Sequence, residues 1–473
     1  PHRLERRARH YGLVMPALTQ LLLTARDALS AQSFALGVTG QNITGSTTPG
    51  YARRDALLSA REQGGVVATG VRRVADQYVD RRWLSASSTS ARASEREGLL
   101  SRVEALFDDT GGSGIGTQLD RLFSGFSQLA STPSDPTARQ ALLDRADALA
   151  GRIRDNADSI ATQREEALAQ ARSVVGEING TASKLAELNR QISVTEAQGG
   201  DASSLRDQRD SLLLGLSSQV DLHTFVDGQG ALVVRAAGAT LVEGNVAQRF
   251  DIDLAGDGSM RLLLAGSGPP SMEITASLSG GALAAIKEVR DSDLGSMAAE
   301  LDQFAWDLAS AVNTQHAVGF GLDGIGGRAL FSISASPAGA ARAIALDSQM
   351  VGHPERLAAS GQATALPGGS DNAVALSGLS SQQLFSGNTR SATQAWSDLV
   401  GDAGSRLAQA SAETEIRQSI RAQADSLRES LSGVSLDEEM VSLTKYQHAY
   451  DAAAKVLAVV DELLRELLDK VGR

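Results

Sequence analysis

The most regular pattern in the chain is a seven-residue apolar repeat near its C-terminus. Apolar side chains recur at every seventh position of Leu436–Val471, and a second row follows three positions later. The two rows consist of Leu436, Leu443, Tyr450, Leu457, Leu464 and Val471, and of Tyr446, Ala453, Val460 and Leu467. Such a repeat is typical of a coiled-coil helix. Because so narrow a stripe cannot form a core alone, the helix is expected to need a partner helix.

The N-terminal region contains a suitable partner. Leu22, Leu29, Leu36 and Ile43 are also seven residues apart, and their flanking apolar residues include Leu18 and Ala25. We therefore expect the two ends to pair, with each other or with the ends of neighbouring copies. In this interpretation residues 15–60 and 432–473 form a coiled-coil stem. Residues 1–14 are basic, unlike the amphipathic run after them, and are predicted to be a disordered extension, with the working protein beginning near Met15.

Between the two ends, most of the chain has helical periodicity. The longest pattern, Thr137–Ala197, continues over its whole length without helix caps, which favours a rod-like helix or a helix pair. Further helices are predicted at Pro16–Ile43, Gln77–Phe107, Thr117–Ala130, Leu205–Val220, Gly281–Val318 and Thr389–Leu431. Residues 61–220, 281–318 and 389–431 are accordingly assigned to a helical rod domain.

Two regions depart from this helical pattern. Within residues 221–280, short alternating segments are separated by turns such as Asp227-Gly228 and Asp257-Gly258, which are strong hairpin signals. This region is predicted to be a small antiparallel β insert. Residues 319–388 are rich in Gly, Ser and Ala and form a second, variable insert, and Ala56–Tyr78 contains short extended segments. The predicted fold class is mainly α with β inserts (α+β, multidomain), with the β domains at the end far from the stem.

Composition narrows the possible functions. A chain of 473 residues is expected to contain about three domains. Its formal net charge of −12 argues against nucleic acid as a partner. No run approaches the roughly 20 apolar residues that span a bilayer, so no membrane insertion is expected. The absence of cysteine excludes disulfides, thiolate catalysis and cysteine metal sites.

The sequence contains no convincing catalytic group. The six histidines are scattered, with no pair at metal-ligand spacing. The acidic residues Asp437, Glu438 and Glu439 follow Ser435. Together, the serine and the three acids indicate a capped helix start rather than a catalytic carboxylate. The glycines of Gly321–Gly327 lack the strand-to-helix context of a nucleotide site. We therefore predict no catalytic, cofactor-binding or metal site, and no enzymatic activity.

Residues Thr39–Arg54, TGQNITGSTTPGYARR, resemble the helix-ending motif of flagellar rod, hook and hook-associated proteins. That motif typically runs from Asn-Asn-Ile-Ala-Asn into Thr-Pro-Gly-Tyr. Gln41, Gly45 and Thr47 depart from it. The matching residues are Asn42, Ile43, Thr48, Pro49, Gly50 and Tyr51.

A second segment resembles one family in particular among these flagellar proteins. Ser432–Leu464 is similar to the C-terminus of the hook-associated protein 1 family, in which an acidic Leu-Asp-Glu-Glu start leads into the final helix. Ser134–Leu143, Leu185–Ser193 and Leu205–Leu213 resemble the long helices of the same family. The resemblance covers most of Leu18–Gly281 and Ala392–Val471 and is weak over Gly319–Asn388.

The resemblance implies a structural component of the bacterial flagellum at the junction between hook and filament. The implied partners are further copies of the chain in a ring, hook protein, the next junction protein, and a cytosolic export chaperone on the C-terminal helix. It also implies an extracellular protein exported by the flagellar type III apparatus without a cleaved signal peptide. We further hypothesise that the terminal helices are loose in the monomer and become ordered on assembly.

The implied assembly residues are the two apolar seams. The N-terminal seam consists of Leu18, Leu22, Ala25, Leu29, Leu36 and Ile43. The C-terminal seam, to which the chaperone is also expected to bind, consists of Leu436, Leu443, Tyr446, Tyr450, Leu457, Val460, Leu464, Leu467 and Val471.

Three alternatives stay open at this point. A hook or rod protein would share the ends but be β-rich in the middle, unlike Thr137–Ala197. A secreted coiled-coil adhesin or effector would explain the helices and the acidic charge, but not the Thr-Pro-Gly-Tyr and Leu-Asp-Glu-Glu segments in one chain. A flagellar wall hydrolase would need a catalytic carboxylate or histidine.

Overall fold

The computed structural model describes residues 2–48, 50–62, 64–107, 112, 114–228, 231–265 and 271–471, without the side chains of 2–14, 468, 470 and 471. Most of this chain is helical, and the predicted class, mainly α with small antiparallel β inserts, is confirmed. The helices are α1 (His2–Gly45), α2 (Gln77–Glu104), α3 (Ile115–Ser131), α4 (Pro136–Ala197), α5 (Ser203–Gln219), α6 (Gly281–Glu288), α7 (Leu294–Ala317), α8 (Ala340–Ala343), α9 (Asp371–Gly378), α10 (Ala392–Ser432) and α11 (Leu436–Val471).

The strands are short, and among the described residues each pairs with a neighbour along the chain. They are β1 (Arg54–Ala60), β2 (Val66–Arg73), β3 (Leu222–Val226), β4 (Leu232–Ala236), β5 (Ala239–Glu243), β6 (Val246–Ala247), β7 (Arg249–Leu254), β8 (Met260–Ala265), β9 (Met272–Glu273), β10 (Phe331–Ser332) and β11 (Ala345–Leu346). The sheets follow the orders β1-β2, β3-β4-β5-β6, β7-β8-β9 and β10-β11.

Most predicted helices are confirmed, and the exceptions have local causes. Helix α1 begins at His2 rather than near Pro16, because residues 2–14 are mostly good helix formers such as Arg, Leu and Ala. The predicted helix Gly281–Val318 is interrupted by a π-helical turn at Val289–Asp293. The backbone over His2–Val14, within the segment predicted to be a disordered extension, continues α1.

The region predicted as a small antiparallel β insert contains two antiparallel sheets. Both Asp-Gly hairpins form, because β3 pairs with β4 and β7 is the neighbour of β8. The four-stranded and three-stranded sheets nevertheless share no strand. In residues 319–388, the strands are the two-residue β10 and β11, isolated β-bridges join Phe320 to Gly326 and to Ser360, and α8 and α9 lie in the same region.

The chain divides into two compact units. Unit 1 comprises Pro1–Ser88, Asn179–Arg249 and Ser419–Arg473, and unit 2 comprises Thr89–Ile178 and Phe250–Gln418. In unit 1, α1 packs along α11, and α1 also contacts β1 and β2. The two ends of this chain therefore pair with each other.

Unit 2 has a helical core with an aromatic centre. The ring centroid of Phe304 lies 5.6 Å from that of Phe385 and 5.7 Å from that of Trp396. Helix α3 packs on α9, and α7 contacts both α8 and α9. The buried face of α4 contributes Ile153 and Ile160, which are seven residues apart in the sequence. The regular spacing of these residues is explained by their burial along one helix face.

A buried histidine connects α7 to the irregular segment after it. The side chain of His316 is inaccessible to solvent, its Nε2 accepts a hydrogen bond from the Ala358 amide at 3.0 Å, and its Nδ1 lies 2.7 Å from the Arg328 carbonyl oxygen. The carbonyl can only accept, so Nδ1 carries the proton of a neutral ring. Burial lowers the pKa of His316, and the hydrogen bond that Nε2 accepts from the Ala358 amide requires the neutral form.

Candidate functional site

The sequence-predicted stem residues lie where α1 and α11 pack together, with unequal burial. On α1, Leu18 and Ala25 are buried, whereas Leu22, Leu29, Leu36 and Ile43 are half-buried. On α11, Val460 is buried, and Leu443, Tyr446, Leu457, Leu464 and Leu467 are half-buried. Leu436 and Tyr450 are exposed, and the side chain of Val471 lies outside the described residues. The pair therefore covers only part of the apolar surface that the repeat provides.

Small residues on α1 contribute to the buried face beside the larger seam positions. Ala31, Ala35 and Val38 are at most 5% exposed. An alanine row lets two helix backbones approach closely, so the buried face of α1 includes positions outside the predicted leucine row. The seven-residue pattern in the sequence did not distinguish these positions from the leucines beside them.

The turn after α1 is organised by Asn42. This side chain is 1% exposed. Its Nδ2 donates to the Arg54 carbonyl oxygen at 2.9 Å, while its Oδ1 accepts from the Arg54 amide at 3.0 Å and from the Tyr51 hydroxyl at 2.9 Å. Burial raises the pKa of Tyr51, which keeps its hydroxyl a donor. Asn42 thus takes the place of a strand neighbour at the start of β1.

Two glycines allow this turn to close. A Cβ added to Gly45 would lie 2.5 Å from the Tyr51 ring, which packs over the end of α1. Gly50 is buried and has a φ of +84°, and a Cβ there would lie 3.1 Å from the Ser211 amide nitrogen. Of the other motif residues, Thr48 is exposed, and its carbonyl accepts from the Tyr51 amide at 3.1 Å. Pro49 lies outside the described residues.

A buried ion-pair network joins this turn to α5. Arg54 Nη2 donates to Asp207 Oδ2 at 2.5 Å, and Arg73 donates to Asp207 at 2.9 Å and to Asp210 at 2.5 Å. Burial lowers the pKa of Arg73, but Asp210 and Asp207 raise it more, so the net pKa lies above its ordinary value. The network fixes the end of α1, the β1-β2 hairpin and α5 in one arrangement.

The same turn is linked to α10 and α11. Arg428 on α10 donates to the Gly50 carbonyl oxygen at 3.2 Å, and its guanidinium lies 4.2 Å from the centroid of the Trp83 ring. The Arg53 amide donates to the Ser432 carbonyl oxygen at 2.9 Å, and the Arg53 guanidinium lies 3.1 Å from Glu439. Sequence reasoning missed Arg54, Asp207 and Arg428, although Arg54 and Asp207 lie inside segments that resemble the family.

The start of α11 has the predicted cap. The Glu438 amide donates to Ser435 Oγ at 3.4 Å, as expected for an N-terminal cap. Glu439 is 2% exposed and faces Arg53, so at least one of these acids has a structural role. No group of three or more metal-binding side chains occurs among the described residues. The contacts of Asn42, Arg53, Arg54, Asp207 and Arg428 together form a rigid joint, which holds the two terminal helices together.

Comparisons with known proteins relate this chain to flagellar proteins. Residues 100–331 match the family model described as the helical domain of flagellar hook-associated protein FlgK, and residues 429–470 match that of the C-terminal region of flagellar basal body rod FlgEFG proteins. The chain is 26% identical to flagellar hook-associated protein 1 of Bacillus subtilis, over 95% of this chain and 98% of the relative.

The chain belongs to the flagellar hook-associated protein 1 family. It is 25% identical to the member from Escherichia coli, with 96% of this chain and 100% of the relative covered. The flagellar hook junction protein FlgK of Burkholderia pseudomallei has a similar fold, with a TM-score of 0.66 at 17% identity, and the match covers 74% of this chain and 100% of that one. Like other hook-associated proteins of this family, the chain is a structural component of the flagellum and not an enzyme.

Proposed function

We propose that this chain forms the junction between hook and filament by self-assembly of its paired terminal helices into a ring. The observation that carries the proposal is an apolar face of the stem left uncovered in the single chain. On α11, Met440, Val441, Val456, Val459 and Leu463 are between 42% and 70% exposed. On α1, Leu21, Leu23 and Phe34 are between 38% and 47% exposed.

This exposure favours assembly on energetic grounds. Contiguous apolar surface on a helix pair is typical of a protein interface. Covering one Val, Leu or Phe side chain contributes about 1.5–3 kcal/mol, so a few of them per copy can stabilise a ring. The rigid joint around Asn42 and Asp207 would hold the two helices in register for that contact. The expected neighbours are further copies of this chain, hook protein and the next junction protein.

The same exposed face requires protection before assembly. We infer that a cytosolic chaperone covers α11, and that the chain leaves the cell through the flagellar export apparatus without a cleaved signal peptide. Its working location is then extracellular, at the hook–filament junction. None of the described helices combines the length and apolarity needed to cross a membrane. A chain lacking residues 436–471 should lose the chaperone complex.

A gene deletion tests the junction role. Cells without the chain should carry bare hooks and release monomeric flagellin into the medium, as judged by electron microscopy and immunoblotting. Missing hooks would move the chain to the rod or hook, and normal filaments would contradict the proposal.

Complementation of that deletion tests the exposed face. Val459→Glu places a charge in the apolar row, and Gln447→Glu places the same charge on the exposed polar surface of α11. Val459→Glu should leave bare hooks although the variant is exported and has an unchanged circular dichroism spectrum, whereas Gln447→Glu should restore filaments. Equal filament formation by the two variants would show that this face does not mediate assembly.

A further inference from the structure

Unit 1 contains a cavity with a charged lining, which contrasts with the apolar surface of the stem. It has a volume of about 260 Å³ and lies among the end of β2, the start of α2, α5 and the strands β3 and β4. Its charged lining consists of Arg73, Arg81, Arg206, Arg209, Asp80 and Asp210. Four cations against two anions give a local charge opposite in sign to the net −12 of the whole chain.

Two of these arginines have no carboxylate partner among the described residues. Arg73 is paired with Asp210 at 2.5 Å, and Arg206 with Glu196 at 2.5 Å. Asp80 is paired with Arg428 at 3.4 Å. Arg81 and Arg209 make no ion pair in the described part of the chain. The cavity thus has an unneutralised excess of positive charge.

Of Arg81 and Arg209, the one with a buried donor that lacks an acceptor is Arg209. Its Nε is buried without a hydrogen-bond acceptor, and its Nη1 has only a long contact of 3.4 Å with Asn189 Oδ1. The Nε of Arg206 is also buried without an acceptor. Burial lowers the pKa of Arg209, and the nearby cations Arg206 and Arg73 lower it further, against the opposing effect of Asp210. Buried donors without acceptors are costly, so an added anion would find ready partners here.

The cavity also borders a free strand edge. Strand β3 is the first strand of the β3-β4-β5-β6 sheet, and in the described structure it pairs with β4 alone. Phe225 and Val226 line the cavity and are 47% and 44% exposed. Natural edge strands are usually protected by Lys, Pro or a bulge, and β3 has neither residue. An extended peptide can pair with such an edge and direct alternate side chains into a neighbouring cavity.

We propose that this cavity binds a carboxylate side chain carried by an extended segment of a partner protein, which pairs with the free edge of β3. The carboxylate accepts from the guanidinium groups of Arg81 and Arg209, while apolar residues of the segment contact Phe225 and Val226. This site is separate from the proposed ring contact, because none of its residues belongs to α1 or α11. Its failure would leave the ring proposal unaffected.

The test uses the purified full chain and a labelled peptide, acetyl-Val-Glu-Val-Glu-Val-amide, with a Gln-for-Glu peptide as the control. Fluorescence anisotropy should show binding of the acidic peptide with a Kd below ~1 mM. The Gln peptide should bind about tenfold more weakly, since it lacks the charge-assisted hydrogen bonds. Added NaCl should weaken binding. Hydrogen exchange of the β3 amides should slow in the bound state.

Neighbouring arginines provide a matched pair of variants. Arg81 and Arg82 are both exposed on α2, but only Arg81 lines the cavity. Arg81→Gln should weaken peptide binding at least about fivefold, whereas Arg82→Gln should change it less than about twofold. Equal effects of the two variants, equal binding of the two peptides or no binding at ~1 mM would overturn the proposal. Displacement of the peptide by equimolar inorganic phosphate would also overturn it, because the site would then be one for free anions.

Discussion

The side-chain amide of Asn42 bonds both the amide and the carbonyl of Arg54, twelve residues further along the chain. In this way one asparagine reproduces the pattern of a strand neighbour and directs the chain from α1 into β1. Only an amide side chain supplies a donor and an acceptor in this geometry. The motif residue singled out by family resemblance therefore has a physical role in the joint of unit 1.

Replacing Asn42 by Asp should destabilise unit 1. The carboxylate can still accept from the Arg54 amide and the Tyr51 hydroxyl, but the donor to the Arg54 carbonyl is lost and a charge is buried. We expect a loss of about 1–3 kcal/mol in the free energy of unfolding. Asn245→Asp, at an exposed position of the same unit, is the control. Equal urea midpoints for the two variants would contradict the role assigned to Asn42.

Alanine substitutions at Gly50 and Gly64 separate the stability cost of backbone strain from the cost of a steric clash. Both have positive φ, +84° and +90°, but a Cβ on Gly50 would lie 3.1 Å from the Ser211 amide nitrogen, and one on Gly64 would have no neighbour within 4 Å. Gly64→Ala should therefore cost about 1 kcal/mol from the backbone alone. Gly50→Ala should cost about 1–2 kcal/mol more, because α5 must move. Thermal unfolding followed by circular dichroism measures both losses, and similar melting temperatures would refute the close packing.

Asp207 should be the most sensitive position of the joint. It accepts from both Arg54 and Arg73 and is only 8% exposed. Asp207→Asn removes the negative charge that both guanidinium groups require, and breaking a buried pair in this way costs about 3–5 kcal/mol. Glu187→Gln, which removes an exposed pair with Arg190, should have little effect. Chemical denaturation of the two variants measures the difference, and a mild Asp207→Asn phenotype would show that the pair is dispensable.

Unit 2 should lose stability on mild acidification because of His316. Burial holds the folded-state pKa of His316 below its ordinary value of 6.5. As the pH falls below 6.5, the unfolded chain therefore binds a proton that the folded chain does not, and the free energy of unfolding decreases. The slope from this one residue is at most about 1.4 kcal/mol per pH unit.

Thermal unfolding between about pH 7.5 and pH 5, which brackets the ordinary histidine pKa, should show this loss. His316→Gln should be less stable at the upper end of this range but should have a shallower pH dependence. The control His223→Gln, at an exposed position, should retain the slope of the unsubstituted chain. If all three proteins have the same slope, another group is responsible for the acid sensitivity.

The sequence predicted much of the helical fold because its signals are local. The boundaries of α4 follow from Pro136 and from Gly199-Gly200, and its buried face follows from regular apolar spacing. The hairpins β3-β4 and β7-β8 follow from Asp-Gly turns. The way one hairpin joins another depends on packing between distant segments. The sequence therefore could not show that Asp221–Leu278 forms two sheets.

The contacts of the joint in unit 1 were less predictable from the sequence, because they too depend on packing between distant segments. Arg54 and Asp207 are 153 residues apart, and no local pattern distinguishes them from the many exposed Arg and Asp residues of this chain. Family resemblance identified Asn42 and Tyr51 without indicating their hydrogen bonds. The heptad pattern indicated which helices would pair, but the burial of Ala31 and Ala35 depends on how closely those helices approach.

The terminal helices should exchange their amide hydrogens rapidly in the monomer and slowly after assembly. Among the described side chains of α11, Val460 is the only apolar one that is buried, whereas α4 buries Ile153, Ile160 and Ile178 at 1% exposure or less. Local stability follows buried apolar contact, so amides of α11 should exchange on the order of 100-fold faster than those of α4. Hydrogen exchange with mass spectrometry measures both helices in one sample. Protection of α11 equal to that of α4 in the monomer would show that the stem is already rigid, and that assembly does not order it.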